Sequence, residues 1–399
     1  MHALKVGAAG GPGAIGGSLG LSGFEAGARR ILPPALYHYV AGGSEDEAVM
    51  ERNLRAFRQH AFLPKVLVDV SGRSMAAMLF GKPIPMPFGI APMGFCRLVA
   101  PDGDRALARA AGAAGIPYIL SGASLTAMEE VRAAGPTSWF QAYIPGESDR
   151  IAALLDRVEA AGFETLVITA DTAVHPKHER SARHGFRSPV RFSPGLAWQG
   201  LSHPGWLWRV LLRDGMAGTR FRFENMDARQ GPPVFSSTLI RDIGRRDALS
   251  WQHVEAVRRR WKGRLVVKGI MTAGDAATAE AAGCNGVIVS NHGGRQIDCA
   301  VSSLEALERI AQRGLNLAVM LDGGVRRGSD ILKALKLGAD FVFAGRPMLF
   351  AAAAAGERGV AQAIALLAQE IDIAMALLGV TDLAGLSGIE MVSEGRAAA

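Results

Sequence analysis

Cysteine is scarce in this chain: Cys96, Cys284 and Cys299 are the only three in 399 residues. They are an odd set without the short spacing of a metal-binding pair. A disulfide framework and a structural zinc site are therefore both excluded as organising features, and a reducing, cytoplasmic setting is expected. No apolar run approaches the ~20 residues that a membrane-spanning helix needs. The stretch from Gly7 to Gly23 is rich in glycine and broken by Pro12. It lacks the continuous apolar centre of a signal peptide and reads as a flexible tail to about residue 28. Neither a Gly-x-Gly-x-x-Gly turn nor a phosphate-binding loop ending in Gly-Lys-Ser/Thr occurs in the right context. Basic residues are dispersed, with no aromatic-basic array of the kind that reads bases, so no nucleic-acid partner is expected.

What is present is ordinary globular composition, 49% hydrophobic and 20% charged, with a net charge of +7. The positive balance favours anionic partners: small acids, phosphates or an acidic lipid surface. Residues 29–57 read as helical in pieces around Gly42-Gly43, with Ser44 and Glu47 spaced as a capping box. From Pro87 onward short apolar runs alternate with amphipathic segments. The runs are Phe88–Ile90, Tyr118–Leu120, Trp139–Ala142, Leu166–Ile168, Leu265–Val267, Val287–Val289, Ala318–Leu321 and Phe341–Phe343. A helix pattern follows each, and Thr126 with Glu129 and Ser302 with Glu305 are spaced as capping boxes. A long insertion, roughly His175 to Ser250, separates the fourth run from its successor. Eight β–α units of this kind predict an α/β fold, a (β/α)8 barrel, rather than an open sheet. One domain would span residues 29–390, followed by a tail over 391–399.

In such a barrel the loops after the strands form the functional face. Ser121, Gln141, Thr169, Asp171, Lys268, His292, Arg295, Asp322 and Arg346 each close or follow a predicted strand. Asp322-Gly323-Gly324-Val325-Arg326 and Gly345-Arg346 end the last two runs, where glycine lets backbone N–H groups approach a phosphate and arginine adds its fork. The plain alternative is a pair of tight turns with solvent-facing arginines. Lys268 fits a Schiff-base amine or a fixed charge beside a ring. Ser121, Gln141 and Thr169 suit the polar edge of a heteroaromatic ring, although each alone is an ordinary buried polar group. Together with a phosphate site they point to FMN or pyridoxal phosphate. His292 can take a proton and Arg295 can hold a carboxylate, with Asp171 placed to orient the imidazole. On spacing alone, a satisfied loop histidine and a surface arginine are the commoner explanation.

Several separate motifs agree in order: Tyr37-His-Tyr-Val-Ala-Gly-Gly-Ser-Glu-Asp46, Trp139-Phe-Gln-Ala-Tyr143, Val266-Val-Lys-Gly269, Ser290-Asn-His-Gly-Gly-Arg-Gln-Ile-Asp298, Leu321-Asp-Gly-Gly-Val-Arg-Arg-Gly328 and Ala344-Gly-Arg-Pro347. This set resembles the FMN-dependent 2-hydroxy-acid oxidising family, from about Leu32 to Leu386. Asp298-Cys299-Ala300 and His203-Pro204-Gly205-Trp206 most resemble its mandelate dehydrogenase members. The resemblance implies FMN in the barrel. Pro92, Met93 and Gly94 would lie along its ring. Ser121, Gln141, Thr169 and Ser290 would bond the ring or ribityl chain. Lys268 would stand near the ring N1/O2 edge. Asp322, Gly323, Gly324, Val325, Arg326, Gly345 and Arg346 would hold the ribityl end and the phosphate. It further implies His292 as base paired with Asp171, Arg295 and Tyr39 on the substrate carboxylate, and Tyr143 on its hydroxyl. The product would be a 2-oxo acid.

Two departures from the family pattern stand out. Relatives carry a second carboxylate-binding arginine after the fourth strand, and that position here is His178, a poorer clamp. Lys177 or Arg180 would then substitute, or the substrate is a larger alcohol, an amine or a modified peptide. Gly94, where oxidases commonly carry alanine, resembles the dehydrogenase pattern and favours a quinone or protein electron acceptor over oxygen. Residues 193–233 mix Trp198, Trp206, Trp208, Phe221 and Phe223 with Arg209, Arg213, Arg220 and Arg222. That composition suits peripheral contact with the inner face of a membrane, the role of the matching insertion in mandelate dehydrogenase; a loop over the barrel mouth or a subunit contact is the alternative. Relatives are often tetramers, so a homo-oligomer is expected.

Overall fold

Strands buried on both faces read as unbroken apolar runs, and the eight runs found in the sequence form such strands. The computed structural model describes residues 19–186, 190–191, 193–212, 221–226, 228, 230–235 and 246–394. The strands are β1 (Phe88–Ile90), β2 (Tyr118–Ser121), β3 (Ser138–Ala142), β4 (Thr165–Thr169), β5 (Arg264–Ile270), β6 (Gly286–Val289), β7 (Ala318–Asp322) and β8 (Phe341–Ala344). Each pairs in parallel with its neighbours, and β8 pairs with β1 to close the ring. The expected (β/α)8 barrel is therefore the fold. Its interior is packed by Ile119, Trp139, Val167, Val266, Ile288, Met320, Phe341 and Phe343. A hairpin, Ala77–Leu79 with Lys82–Ile84, adds Ala77 and Leu79 to that same interior cluster.

The ends of the domain reach further than the sequence suggested. Residues 21–28, read as tail, belong to helix α1 (Leu21–Ile31), whose Leu21, Phe24 and Ala28 are buried. This helix packs on the long helix Arg346–Leu378. At the other end Met391–Ser393 pairs with His60–Phe62, so the tail begins later than residue 391. Two more helices follow α1: α2 (Pro34–Ala41) and α3 (Ala48–Arg58). The long helix also corrects the expectation about apolar runs, because an 18-residue window of it has mean hydropathy 1.5. It breaks at Ala355–Gly356 and carries a buried face of Leu349, Val360, Ile364, Leu367 and Ile371 against α1 and the helix Gly103–Ala113. That is how a core helix packs.

Two of the three capping boxes are not formed. Glu47 adopts a left-handed conformation (φ 66°), and Ser44 Oγ donates to the backbone oxygens of Gly294 and Gln296 instead. The start of α3 is capped from afar, by Asp298, which accepts from Ala48 N and Val49 N at 3.0 Å each. A carboxylate at a helix start satisfies orphan N–H groups and matches the dipole. Thr126 Oγ1 likewise leaves its expected box to donate to Asp104, and the helix there begins at Met128. The Ser302–Glu305 box is present as read.

The insertion after β4 holds the helices Glu179–Arg183 and Pro194–Leu201, a turn at Pro204–Trp206 and a wide helical stretch, Leu207–Leu212. Trp206 anchors it, buried with Nε1 donating to Leu98 O at 2.8 Å. Phe223 packs edge-on to Phe95. Arg213 and Arg220 lie outside the described residues. Helix Trp251–Arg260 then completes the fourth β–α unit.

Candidate active site

The strand ends of β1, β3 and β5–β8, with α2, enclose an open cleft of ≈ 860 Å³. Pro92, Met93 and Gly94 line it after β1, Tyr143 after β3, Lys268 from β5, and His292 and Arg295 after β6. Asp322 through Arg326 and Gly345–Arg346 line it after β7 and β8, and Tyr39 comes from α2. Ser121, Gln141, Thr169 and Ser290 are buried at the ends of β2, β3 and β4 and just after β6. Strand register brings them together: Ser121 pairs with Gln141, and Thr169 with Lys268. The expected site residues thus share one rim, except His178, which lines a side chamber.

Backbone shape sets the histidine. His292, Gly293 and Gly294 follow one another at φ 58°, 65° and 75°. A left-handed histidine costs roughly 1–2 kcal/mol, so the packing around it must hold the turn. Gly294 permits the fit, because a Cβ there would lie 2.7 Å from Met50 N. Ser44 N donates to Gly294 O at 2.9 Å and docks the loop against the N-terminal helices. Asn291 and Asn53 exchange side-chain bonds beneath it at 2.8–2.9 Å. The result is His292 Nδ1 at 3.0 and 3.2 Å from the two oxygens of Asp171. Gly269 makes room for that carboxylate, since a Cβ there would lie 2.6 Å from Asp171 Cβ. Burial pushes Asp171 up, but His292, with Lys268 beyond it, outweighs burial and holds the carboxyl below its ordinary range. Nδ1 is thereby engaged by Asp171.

A second charged group sits deeper. Lys268 Nζ donates to Ser290 Oγ at 2.7 Å and lies 3.1 Å from Asp322 Oδ2. Burial opposes its charge, yet Asp322 and Asp171 together keep its pKa above the ordinary value. Lys268 is therefore a fixed cation rather than a neutral amine, which removes the Schiff-base reading. Three buried polar atoms around it have no protein partner: Gln141 Nε2, Thr169 Oγ1 and Asp322 Oδ1. Buried polar groups are rarely left unpaired in a finished site, so a donor-and-acceptor edge of a ligand fits here. Farther out, burial and then Arg295 and Arg326 pull Arg346 down to about 9. A guanidinium stays charged regardless, so this cluster is a positive field that a phosphate would relieve. The side chain of Arg346 itself donates to Val40 O, Gly293 O and Gly42 O at 2.8–2.9 Å. Its structural work is to tie α2 to the histidine loop, while Gly345 opens the long helix at the cleft.

Arg295 Nη1 donates to Tyr39 O and Gly42 O at 2.7 and 2.9 Å, and its guanidinium lies 4.8 Å from the Tyr39 ring. His178 Nε2 bonds to the Arg295 backbone oxygen at 3.0 Å. Burial, then the charge of Arg295, pushes His178 down to about 4, so it is neutral at neutral pH. Neither expected substitute is available as a clamp: Lys177 pairs with Glu179, and Arg180 binds Glu47 and His38. One residue that sequence reasoning missed is Arg246, at the far end of the insertion. It is buried, 4.7 Å from the Tyr143 ring, and donates to Thr169 O and Thr172 Oγ1. No local pattern marks it; among many arginines in a polar insertion it looks solvated.

The family model described as FMN-dependent dehydrogenase matches residues 28–392. In three dimensions the chain is similar to a crystal structure of the monotopic membrane protein (S)-mandelate dehydrogenase, with a TM-score of 0.84 and 35% identity over 94% of this chain and 99% of that one. It is similar also to mandelate oxidase with (S)-2-phenylpropionate, at a TM-score of 0.79 and 33% identity over 94% and 99% of the two chains. A mandelate oxidase mutant with (S)-mandelic acid gives 0.78 and 32%, over 95% and 100%.

Proposed function

The chain belongs to the FMN-dependent dehydrogenase family and is an FMN-dependent 2-hydroxy-acid oxidoreductase, and from that premise we propose that it converts a small 2-hydroxy acid to the 2-oxo acid with His292 as base. When bound, FMN supplies the two-electron acceptor for that oxidation. Gln141, Thr169, Ser121 and Ser290 hold its polar ring edge and ribityl chain, and the three unpartnered atoms are the observation that favours this fit. Lys268 places a permanent positive charge beside the ring. The loop from Asp322 to Arg326 and the helix start at Gly345–Arg346 hold the phosphate.

The observation that carries the catalytic reading is the His292–Asp171 pair at 3.0 Å on the cleft wall. Asp171 fixes the ring through Nδ1, and Nε2 takes a proton from the substrate. Arg295, held by two backbone oxygens, presents its remaining N–H groups to the substrate carboxylate beside Tyr39. Tyr143 lines the same cleft and takes the hydroxyl. Electrons leave to a quinone or protein acceptor. Gly94 on the cleft wall is the residue that favours this, matching the dehydrogenase pattern; a Cβ there would lie 3.2 Å from Ala123 Cβ, a tight contact. The insertion makes peripheral membrane contact, supported by the exposure of Trp198 and Trp208 and by the membrane character of the dehydrogenase it is similar to.

The deciding experiment is anaerobic mixing of the yellow holoenzyme with a panel of glycolate, lactate and (S)-mandelate, followed by oxygen or a soluble quinone. At least one acid should bleach the flavin within seconds, and the quinone should restore colour faster than oxygen. A flavoprotein that no 2-hydroxy acid bleaches would end this reading.

A further inference from the structure

The end of the barrel where the strands start, opposite the reaction cleft, holds an open chamber of ≈ 730 Å³. The hairpin Ala77–Leu79 with Lys82–Ile84 forms one side of it, and the starts of β3, β4 and β5 form another. In a barrel this end ordinarily serves stability, and a stabilising face is filled by side chains. Here space is left, and its border is strongly cationic. Lys82, Arg132 and Arg264 line it against one carboxylate among the described residues, Glu164. Glu164 lies 3.4 Å from Lys82 Nζ and 3.8 Å from Arg264 Nη1 and is mostly exposed, so it does not balance three cations. Arg132 is held by Nε donating to Gly162 O at 2.9 Å. Thr137 and Ser138 also line the chamber, and their buried hydroxyl oxygens have no hydrogen-bond partner.

The same chamber has an aromatic wall. The Arg264 guanidinium lies over the Phe80 ring at 5.4 Å, and Phe80 meets Trp139 at 5.8 Å. Phe80 sits in the hairpin turn at φ 52°, followed by Gly81 at φ 74°. A two-residue turn with positive φ at both positions favours Asn-Gly, and a bulky side chain there is a backbone outlier. The turn tolerates that strain and so sets a ring on Arg264 and Trp139. We propose that this chamber is a second binding site, for a planar aromatic anion such as an aromatic carboxylate. The ligand's ring packs on Phe80 and Trp139, and its anionic group faces Arg264, with Arg132 and Lys82 on the same border. A guanidinium stacked on a ring keeps its N–H fork in plane, the geometry that a carboxylate accepts. An apolar wall with a few polar groups, at this volume, is the make-up of a small-molecule site. No residue of the chamber lines the reaction cleft, so the assignment is independent of how the cleft is read.

The test uses benzoate, titrated calorimetrically into the FMN-loaded protein while flavin absorbance is recorded. Binding in the cleft perturbs the flavin; binding at the far end leaves its spectrum unchanged. A flavin-silent component should be present. Its Kd should rise about 10-fold in Arg264→Gln, through loss of a charge-assisted hydrogen bond. A rise of similar size is expected in Phe80→Asn, which removes the ring while giving the turn a residue it favours, so the fold is kept. Benzamide, which lacks the charge, and acetate, which lacks the ring, should each bind the silent site at least about 10-fold more weakly than benzoate. Absence of a silent component, an unchanged Kd in either folded variant, or acetate or benzamide binding as tightly as benzoate overturns the proposal. If Arg264→Gln does not fold, Phe80→Asn decides in the same way. A protein that no 2-hydroxy acid bleaches but that binds benzoate silently would lose the reading of the cleft and keep this one.

Discussion

The side of this cleft that we assign to the cofactor and the side that we assign to the substrate are built by different means. On the cofactor side every polar group sits at or just after a strand end, and ladder register fixes its neighbours: Ser121 against Gln141, Thr169 against Lys268. On the assigned substrate side, beside Arg295 and Tyr143 after strands β6 and β3, groups also arrive from segments outside the barrel. Tyr39 comes from α2 and His178 from the long insertion, and His178 is held by a side-chain-to-backbone bond rather than by a ladder. A site whose geometry is set by a closed sheet can stay fixed while the other half is rebuilt. The chemistry then belongs to the barrel and the choice of substrate to what is laid over it.

The sharpest way to break that division is to remove His292, the one group both sides share. His292→Ala should retain FMN, because its ring contacts Asp171 and not the groups assigned to the cofactor. Loss of a positioned base costs roughly 10²–10⁴ in rate, so anaerobic bleaching by the best acid should slow by at least ~10²-fold. Bleaching that slows by less than ~10-fold would place the base elsewhere and undo the partition.

The same division explains what the sequence disclosed. Strands, the barrel and the whole rim were legible because apolar runs ending in polar residues mark strand ends one by one, and each such residue needs no knowledge of distant chain. Arg246 was not legible, since its meaning depends on Tyr143, far away in the chain and brought close by the closure of the insertion. The capping boxes at Ser44 and Thr126 misled for a related reason. Local spacing was right, but Gly294, Gln296 and Asp104 offered those hydroxyls better partners across the fold. The position of His178 was read correctly as a departure, while its actual work, a bond to the backbone of Arg295, is a tertiary fact.

A smaller effect should separate the two regions in stability. Asp104, on helix Gly103–Ala113, is fully buried and accepts from Tyr118 and Thr126 at 3.2 Å each. Burial raises its pKa from 3.8 to about 6, against those hydrogen bonds. The folded protein thus holds this proton more tightly than the unfolded chain. The stability it contributes is fully present below pH 3.8, is lost as pH rises through about 6, and amounts to about 3 kcal/mol. Denaturant titrations at intervals from pH 4 to 7 should show this component in the wild-type protein and a flatter profile in Asp104→Asn. Identical profiles would mean that the carboxyl is ionised throughout and the barrel does not carry the pH response.

The smallest change to the fold is expected at the outer surface of the insertion, and there the comparison is tested most cleanly. Trp198 and Trp208 are 71% and 56% exposed, whereas Trp206 between them is 7% exposed and bonded to Leu98 O. The helix carrying Trp198 has no buried residue. Two exposed indoles beside Leu201 and Leu212, 64% and 46% exposed, make an apolar face with basic Arg209 nearby, the pattern of a segment that lies on a lipid surface. Trp198→Ser with Trp208→Ser removes apolar area that folding does not use, so unfolding free energy should shift by no more than ~0.5 kcal/mol for each change. Bleaching by the best acid should be unchanged. Sedimentation with vesicles containing anionic lipid should weaken by about 30-fold, at roughly 1 kcal/mol per indole. Trp206→Ser is the converse, because it strips the anchor, and should lower stability while leaving the lipid-facing pair in place. If the surface pair proves structural and vesicle binding persists without it, the insertion is a cover for the barrel mouth, and its arginines and tryptophans serve the fold rather than a membrane.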